Sequence, residues 1–92
     1  QIANNVRIGK YCVIAGQAGV AGSAVIGDFV MIGGQVAVKD HVTVGSHARL
    51  AGRSGVMRDV AANETVAGIP AVPVREWHRQ TVAITKLGKK NH

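Results

Sequence analysis

Ten aliphatic residues recur at every sixth position without a slip: Ile2, Ile8, Ile14, Val20, Ile26, Ile32, Val38, Val44, Leu50 and Val56. The residue two before a rung is also apolar or small, as at Val6, Cys12, Ala24, Val42 and Ser54. Triplets such as Val6-Arg7-Ile8 and Val42-Thr43-Val44 therefore read inward, outward, inward, the period of a very short strand. A three-residue corner follows each triplet. Its middle position is Asn4, Gly16, Gly22, Asp28, Gly34, Asp40 or Gly52 in seven of ten repeats. Gly, Asn and Asp tolerate a left-handed backbone, so the turn is expected to pivot on this middle residue.

An α-helix needs spacings of three and four, and a hairpin meander needs longer strands. Period six is the hexapeptide form of a parallel β-helix, an all-β repeat. Each coil then packs only on its neighbours, which suits a chain of 92 residues with no room for a wide core. Aromatics are limited to Tyr11, Phe29 and Trp77, which fits a narrow interior.

The ladder is expected to fill residues 1–60. Residues 61–73, which hold Pro70 and Pro73, read as an irregular cap over the last coil. From Val74 the spacing changes: Val74, Trp77, His78, Thr81, Val82 and Thr85 follow a helical pattern. The helix is expected over 74–88 with Gly88 as its stop, leaving 89–92 as a frayed tail.

The net charge of +6 is uneven. Residues 1–73 carry six Lys/Arg against four acids, and 74–92 carry five against one. Such a basic end meets nucleic acid, anionic lipid or an acidic protein. Nucleic acid is set aside, because aromatics that stack on bases are lacking. Cys12 is the lone cysteine, which excludes an internal disulfide and fits a reducing compartment. No apolar run reaches membrane-spanning length, and no secretory signal is visible. The ladder is already under way at Ile2, so the chain reads as part of something longer.

The repeat resembles the left-handed parallel β-helix of hexapeptide acyltransferases, in which three hexapeptides make one triangular coil. Stacking residues eighteen apart gives one corner of Asn4, Gly22, Asp40 and Arg58, flanked by Asn5, Ser23, His41 and Asp59. The outward positions before that corner are Gly19, Ala37 and Gly55, all tiny. This smooth face has two compatible readings: close packing of a neighbouring subunit, or a groove for an extended apolar chain. The other outward stacks, Arg7-Val25-Thr43 and Val13-Met31-Arg49, are bulkier.

Ordered motifs narrow the resemblance. Gln1-Ile2-Ala3-Asn4-Asn5-Val6 is similar to the Gln-Ile-Ala-His-Asn-Val motif of the UDP-3-O-acylglucosamine N-acyltransferases of lipid A biosynthesis. Ala21-Gly22-Ser23, Met31-Ile32-Gly33-Gly34, Val42-Thr43-Val44, Val56-Met57-Arg58 and Gly68-Ile69-Pro70 resemble the C-terminal half of that family. The resemblance implies transfer of a hydroxyacyl group from acyl carrier protein to the 2-amine of a UDP-linked, 3-O-acylated glucosamine. It implies a cytoplasmic homotrimer with active sites between subunits and an N-terminal uridine-binding domain outside these residues. No metal or resident cofactor is expected, since the donor chain rides on the phosphopantetheine of the carrier.

Site residues follow from the same motifs. The family's general base is the motif histidine, and this chain has Asn4 there. An amide does not titrate near neutral pH, so Asn4 keeps the shape and loses the chemistry. Gly22 matches the glycine whose N–H stabilises the oxyanion, and without the resemblance it reads as a turn glycine. His41 matches an auxiliary histidine, and otherwise reads as a solvated surface side chain. Asn5, Gly19, Ala37, Gly55 and Met57 are the expected substrate and acyl contacts. Gly55 stands where some relatives carry a bulky residue that limits acyl length. Arg58, Arg75, Arg79 and Lys86 are candidates for the acidic carrier, set against an ordinary basic face. A non-catalytic trimeric scaffold is the first alternative. The second is another hexapeptide-repeat enzyme, a different sugar N-acyltransferase or a carbonic anhydrase. For the latter, His41, His47, His78 and His92 do not form a recognisable zinc set.

Overall fold

The structure is a computed structural model and describes residues 1–90. Nine two-residue strands come first: β1 (Arg7–Ile8), β2 (Val13–Ile14), β3 (Gly19–Val20), β4 (Val25–Ile26), β5 (Met31–Ile32), β6 (Ala37–Val38), β7 (Thr43–Val44), β8 (Arg49–Leu50) and β9 (Gly55–Val56). They are followed by β10 (Thr65–Ala67), β11 (Val72–Pro73) and the helix α1 (Val74–Lys90).

Three sheets form the walls of a solenoid of about three turns, in the orders β1-β4-β7, β3-β6-β9 and β2-β5-β8-β10-β11. All pairings in them are parallel except the β10–β11 hairpin. The register is eighteen residues, as in Arg7 opposite Val25 and Gly19 opposite Ala37. This is the architecture expected of a left-handed β-helix followed by a C-terminal helix.

The six-residue rungs are the core. Val20, Ile26, Ile32, Val38, Val44, Leu50 and Val56 are all buried. Burying each such side chain contributes about 1.5–3 kcal/mol against leaving it in water. Small partners two residues earlier, Ala18, Ala24 and Ala48, leave the width that the larger rungs need. Ser54 is the buried polar residue among them, and its hydroxyl donates to the carbonyl of Ala51. Ile2 and Ile8 keep 44% and 38% of their surface, because a coil covers them from one side only.

The corners differ from expectation. The left-handed residue is the third corner position, not the second: Tyr11, Gln17, Ser23, Phe29, Gln35, His41, His47, Arg53 and Asn63 have φ between 56° and 65°. Holding a non-glycine residue there costs on the order of 1–3 kcal/mol. A cross-coil bond offsets it. The N–H of Phe29, Gln35, His41, His47 and Arg53 each donates to the middle-corner carbonyl of the coil before, at 2.8–3.3 Å. The side chains then stack. Tyr11, Phe29 and His47 lie ring on ring with centroids 5.3 and 5.0 Å apart. Gln17, Gln35 and Arg53 form a hydrogen-bonded ladder. The sterically demanded glycines are those directly after a rung. A Cβ on Gly27 would lie 2.7 Å from the backbone nitrogen of Ser46, whereas one on Gly16 or Gly22 would meet nothing within 4 Å.

The last coil is two residues short. Val38 pairs with Val56 across eighteen residues, but Val44 bridges to Val60 and Arg49 pairs with Thr65 across sixteen. The deletion falls at 57–59. Arg58 and Asp59 therefore form a tight bend and do not continue the Asn4 and Asn5 corner stacks. Asp59 compensates: its carboxylate accepts the N–H of Thr43 at 2.8 Å.

Residues 61–73 carry β10 and β11 where the sequence suggests an irregular cap. Helix α1 docks through Trp77, which crowds Gly68: a Cβ there would come within 3.0 Å of Trp77 Cδ1. Gly88 does not stop the helix, which runs on to Lys90. A glycine with open space around it costs only about 1 kcal/mol in a helix. Of the expected frayed tail, Lys89 and Lys90 are helical, and Asn91 and His92 lie outside the described residues.

Candidate functional site

The site is built from two adjacent coils. Ile2 bridges to Val20 in parallel, and the N–H of Ala3 donates to the carbonyl of Val20 at 3.0 Å. This register places Asn4 directly over Gly22, about 4.8 Å away, the spacing of neighbouring strands. Asn5 stacks on Ser23 in the same way. The rungs Val20 and Ile26 anchor the corner from inside.

Gly22 is half-buried, and its carbonyl accepts the N–H of His41 at 3.3 Å. Its own N–H has no acceptor among the described residues. On the next corner the equivalent amides are capped: Lys10 N–H by the Asp28 carboxylate and Asp28 N–H by the Ser46 hydroxyl. The glycines of the third corner share the openness of Gly22, but none of them lies next to Asn4. The corner thus sets an uncommitted backbone N–H next to a carboxamide that does not titrate near neutral pH.

His41 lies two coils from Asn5, about 10 Å by strand spacing. It is 77% exposed and its Nδ1 is 3.5 Å from an Asp40 carboxylate oxygen. The structure brings Asn4, Asn5, Gly22 and Ser23 together and leaves His41 at the edge. Among the described residues no group of three or more His, Cys, Asp or Glu is placed to hold a metal ion.

The small-residue face is not uniform. Gly19 and Ala37 line a shallow depression of about 380 Å3 together with Ala3 and Ala21. Gly55, at its far end, is buried beneath Ile69 of the loop after β10. Met57 is exposed beside the shortened corner. Sequence reading missed the role of Ile69, because the cap's return over β9 has no signature in the repeat.

Arg58, Arg75, Arg79 and Lys86 are all exposed. The last three fall at i, i+4 and i+11 on one face of α1. Arg79 and Lys86 flank Val82 and Ala83 in a largely apolar recess on the outer side of the helix. Arg58 sits apart from them, at the shortened corner. No described helix is long and apolar enough to cross a membrane.

No family model matches the chain. Over all 92 residues it is 51% identical to UDP-3-O-acylglucosamine N-acyltransferase of Rickettsia akari (strain Hartford), and it spans 27% of that relative's length. The fold matches serine acetyltransferase of Neisseria gonorrhoeae, with a TM-score of 0.62 and 25% identity, over 78% of this chain and 39% of the other. It also matches a hexapeptide-repeat acetyltransferase of Vibrio cholerae solved with acetyl coenzyme A. There the TM-score is 0.58 at 22% identity, over 76% of this chain and 59% of the other, a likeness of fold alone.

Proposed function

We propose that this chain, a homologue of the hexapeptide-repeat acyltransferases along its whole length, is the β-solenoid part of a UDP-3-O-acylglucosamine N-acyltransferase. The observation that carries the reading is the open N–H of Gly22 one coil from Asn4, at the position of the family's base. In the reaction, the 2-amine of the acceptor attacks the thioester carbonyl of a hydroxyacyl chain on acyl carrier protein. A base removes the amine proton, the carbonyl oxygen gathers negative charge, and the carrier leaves as a thiol. The Gly22 N–H is suited to the oxyanion, and Asn5 and His41 border the path of the substrates. The depression of Gly19 and Ala37 is suited to the acyl chain.

Asn4 cannot take the proton, so this chain is an impaired form of the catalyst. Its carboxamide, with one acceptor oxygen and one NH2 donor, still fills the place of the base and can hydrogen-bond there. The basic face of α1, with Arg75, Arg79 and Lys86, suits an acidic carrier protein, and Arg58 adds a separate cation. Assembly as a homotrimer would supply the second wall of the groove, and a biosynthetic acyltransferase of this kind works in the cytoplasm. The test is an N-acylation assay on the full-length protein carrying Asn4→His. The rate is expected to rise by about 10²–10⁴, the usual contribution of a general base. No gain would favour the scaffold alternative.

A further inference from the structure

The wall made by β3, β6 and β9 carries nothing larger than a methyl group at its outward positions, Gly19, Ala37 and Gly55. Ala37 pairs with Gly55, so the depression of Gly19 and Ala37 leads straight onto β9. There it meets Ile69. Three carbons of the Ile69 side chain lie within 3.6 Å of the point that a Cβ on Gly55 would occupy. Beyond Ile69 a second recess of about 210 Å3 opens between the cap loop and α1, with Trp77, Thr81 and Ile84 in its lining. Ile69 therefore stands between two recesses. Backbone bonds hold it there. The N–H of Gly55 donates to the carbonyl of Gly68 at 2.9 Å, and the N–H of Ala71 donates to the carbonyl of Gly55 at 2.7 Å. The loop is thus tied to β9 on both sides of Ile69. Gly68 has a φ of 99°, which favours glycine, and Trp77 packs against it. Yet Ile69 keeps 73% of its surface in water. A fixed, exposed aliphatic side chain at the end of a smooth wall offers an apolar contact to whatever lies along that wall.

We infer that Ile69 is the stop that sets the length of acyl chain this protein accepts, with the methyl end of the chain resting against its side chain. The inference rests on the N-acyltransferase reading and deepens it by naming a specificity-determining residue outside the repeat. Position 55 bears no side chain, so the wall itself sets no limit. The obstruction comes from the cap loop that folds back over it. Gly19 and Gly55 are two strand spacings apart, about 10 Å. A zigzag hydrocarbon with bonds of about 1.5 Å advances about 1.25 Å per carbon. About eight carbons of an acyl chain therefore span the wall before Ile69. A longer chain has to displace a side chain whose backbone is tied down on both sides. Truncating Ile69 joins the depression to the second recess and gives the chain room to continue along α1.

The test is calorimetric titration of the full-length protein with 3-hydroxyacyl phosphopantetheines that differ by one methylene. Affinity is expected to rise about fourfold for each methylene buried, up to a limiting length, and to rise no further beyond it. Ile69→Ala should move that limit outward by about two carbons, the reach of the side chain past its Cβ. Ile69→Val trims one carbon, keeps the loop packed and should move the limit by about one. Ile84→Ala, on the α1 side of the second recess, should leave the limit unchanged. An unchanged limit in both Ile69 variants overturns the stop and leaves the acyltransferase reading standing. An equal outward shift in Ile84→Ala overturns the assignment to Ile69. A wild-type affinity that ignores chain length, or rises without a limit, also overturns the stop. If no member of the series binds, the acyltransferase reading falls with it.

Discussion

A Cβ on Gly55 would lie 3.1 Å from Cγ2 of Ile69, so the cap loop rests directly on the last strand of the small-residue face. The groove that begins at Gly19 and Ala37 is closed at Gly55 by another part of the same chain. A bulky side chain at Gly55 must therefore displace Ile69 before it meets any ligand. Gly55→Met is expected to lower stability by about 1–3 kcal/mol through overpacking. Ile69→Ala in the same chain should recover much of that loss. Thermal unfolding of the two single variants and the double variant checks the coupling, and additive effects would contradict it. In an otherwise active enzyme Gly55→Met should also shorten the preferred acyl donor. Unchanged chain selectivity there would show that Ile69 shields position 55 from the acyl chain and would remove Gly55 from the acyl contacts.

The glycines after the rungs and the glycines at mid-corner should respond oppositely to a methyl group. Gly27→Ala drives a Cβ into the backbone of Ser46, and about 1–3 kcal/mol of destabilisation is expected. Gly16→Ala meets open space at an ordinary φ and should be neutral or slightly stabilising. Denaturant midpoints of the two variants give the comparison directly.

Asp59 holds the shortened coil together by accepting the N–H of Thr43. Asp59→Ala should cost about 1 kcal/mol, the usual net worth of a hydrogen bond. Asp59→Asn retains an acceptor oxygen and should lose less. Equal losses for both would show that the carboxylate does not fill this place.

The basic face of α1 should make carrier binding sensitive to salt. Affinity for an acidic acyl carrier protein is expected to fall between low and physiological ionic strength. Arg79→Glu should weaken it further at low salt while leaving the helix formed. Salt-independent binding would remove this face from the account.

The fold was legible because the rungs that give the period of six are also the buried residues, from Val20 to Val56. The stacking of Asn4 on Gly22 followed from folding that period at eighteen residues per coil, a length implied by the family resemblance and not by the period itself. What stayed hidden depends on backbone detail that residue type does not encode. Gly, Asn and Asp at mid-corner suggested the left-handed position, yet Tyr11, Phe29, His41 and Arg53 occupy it one residue later. The amides of Phe29, His41 and Arg53 gain a bond to the coil before, and that tertiary bond outweighs local preference. The two-residue deletion at 57–59 was invisible because Val60 simply takes up the rung. Arg58 was thereby assigned to a corner it does not share. The Tyr11-Phe29-His47 stack and the closure of Gly55 by Ile69 are likewise contacts between distant residues, with no signal in the repeat.

The central claim is that acyl transfer is organised at the corner shared by Asn4 and Gly22. It is tested most directly by a crystal structure of the protein with a hydroxyacyl phosphopantetheine bound. The account predicts the thioester carbonyl oxygen about 2.7–3.1 Å from the backbone nitrogen of Gly22. It also predicts that the reacting carbon faces Asn4 and that the acyl chain runs along Gly19 and Ala37. A thioester bound at another corner, with the N–H of Gly22 left to solvent, would contradict it.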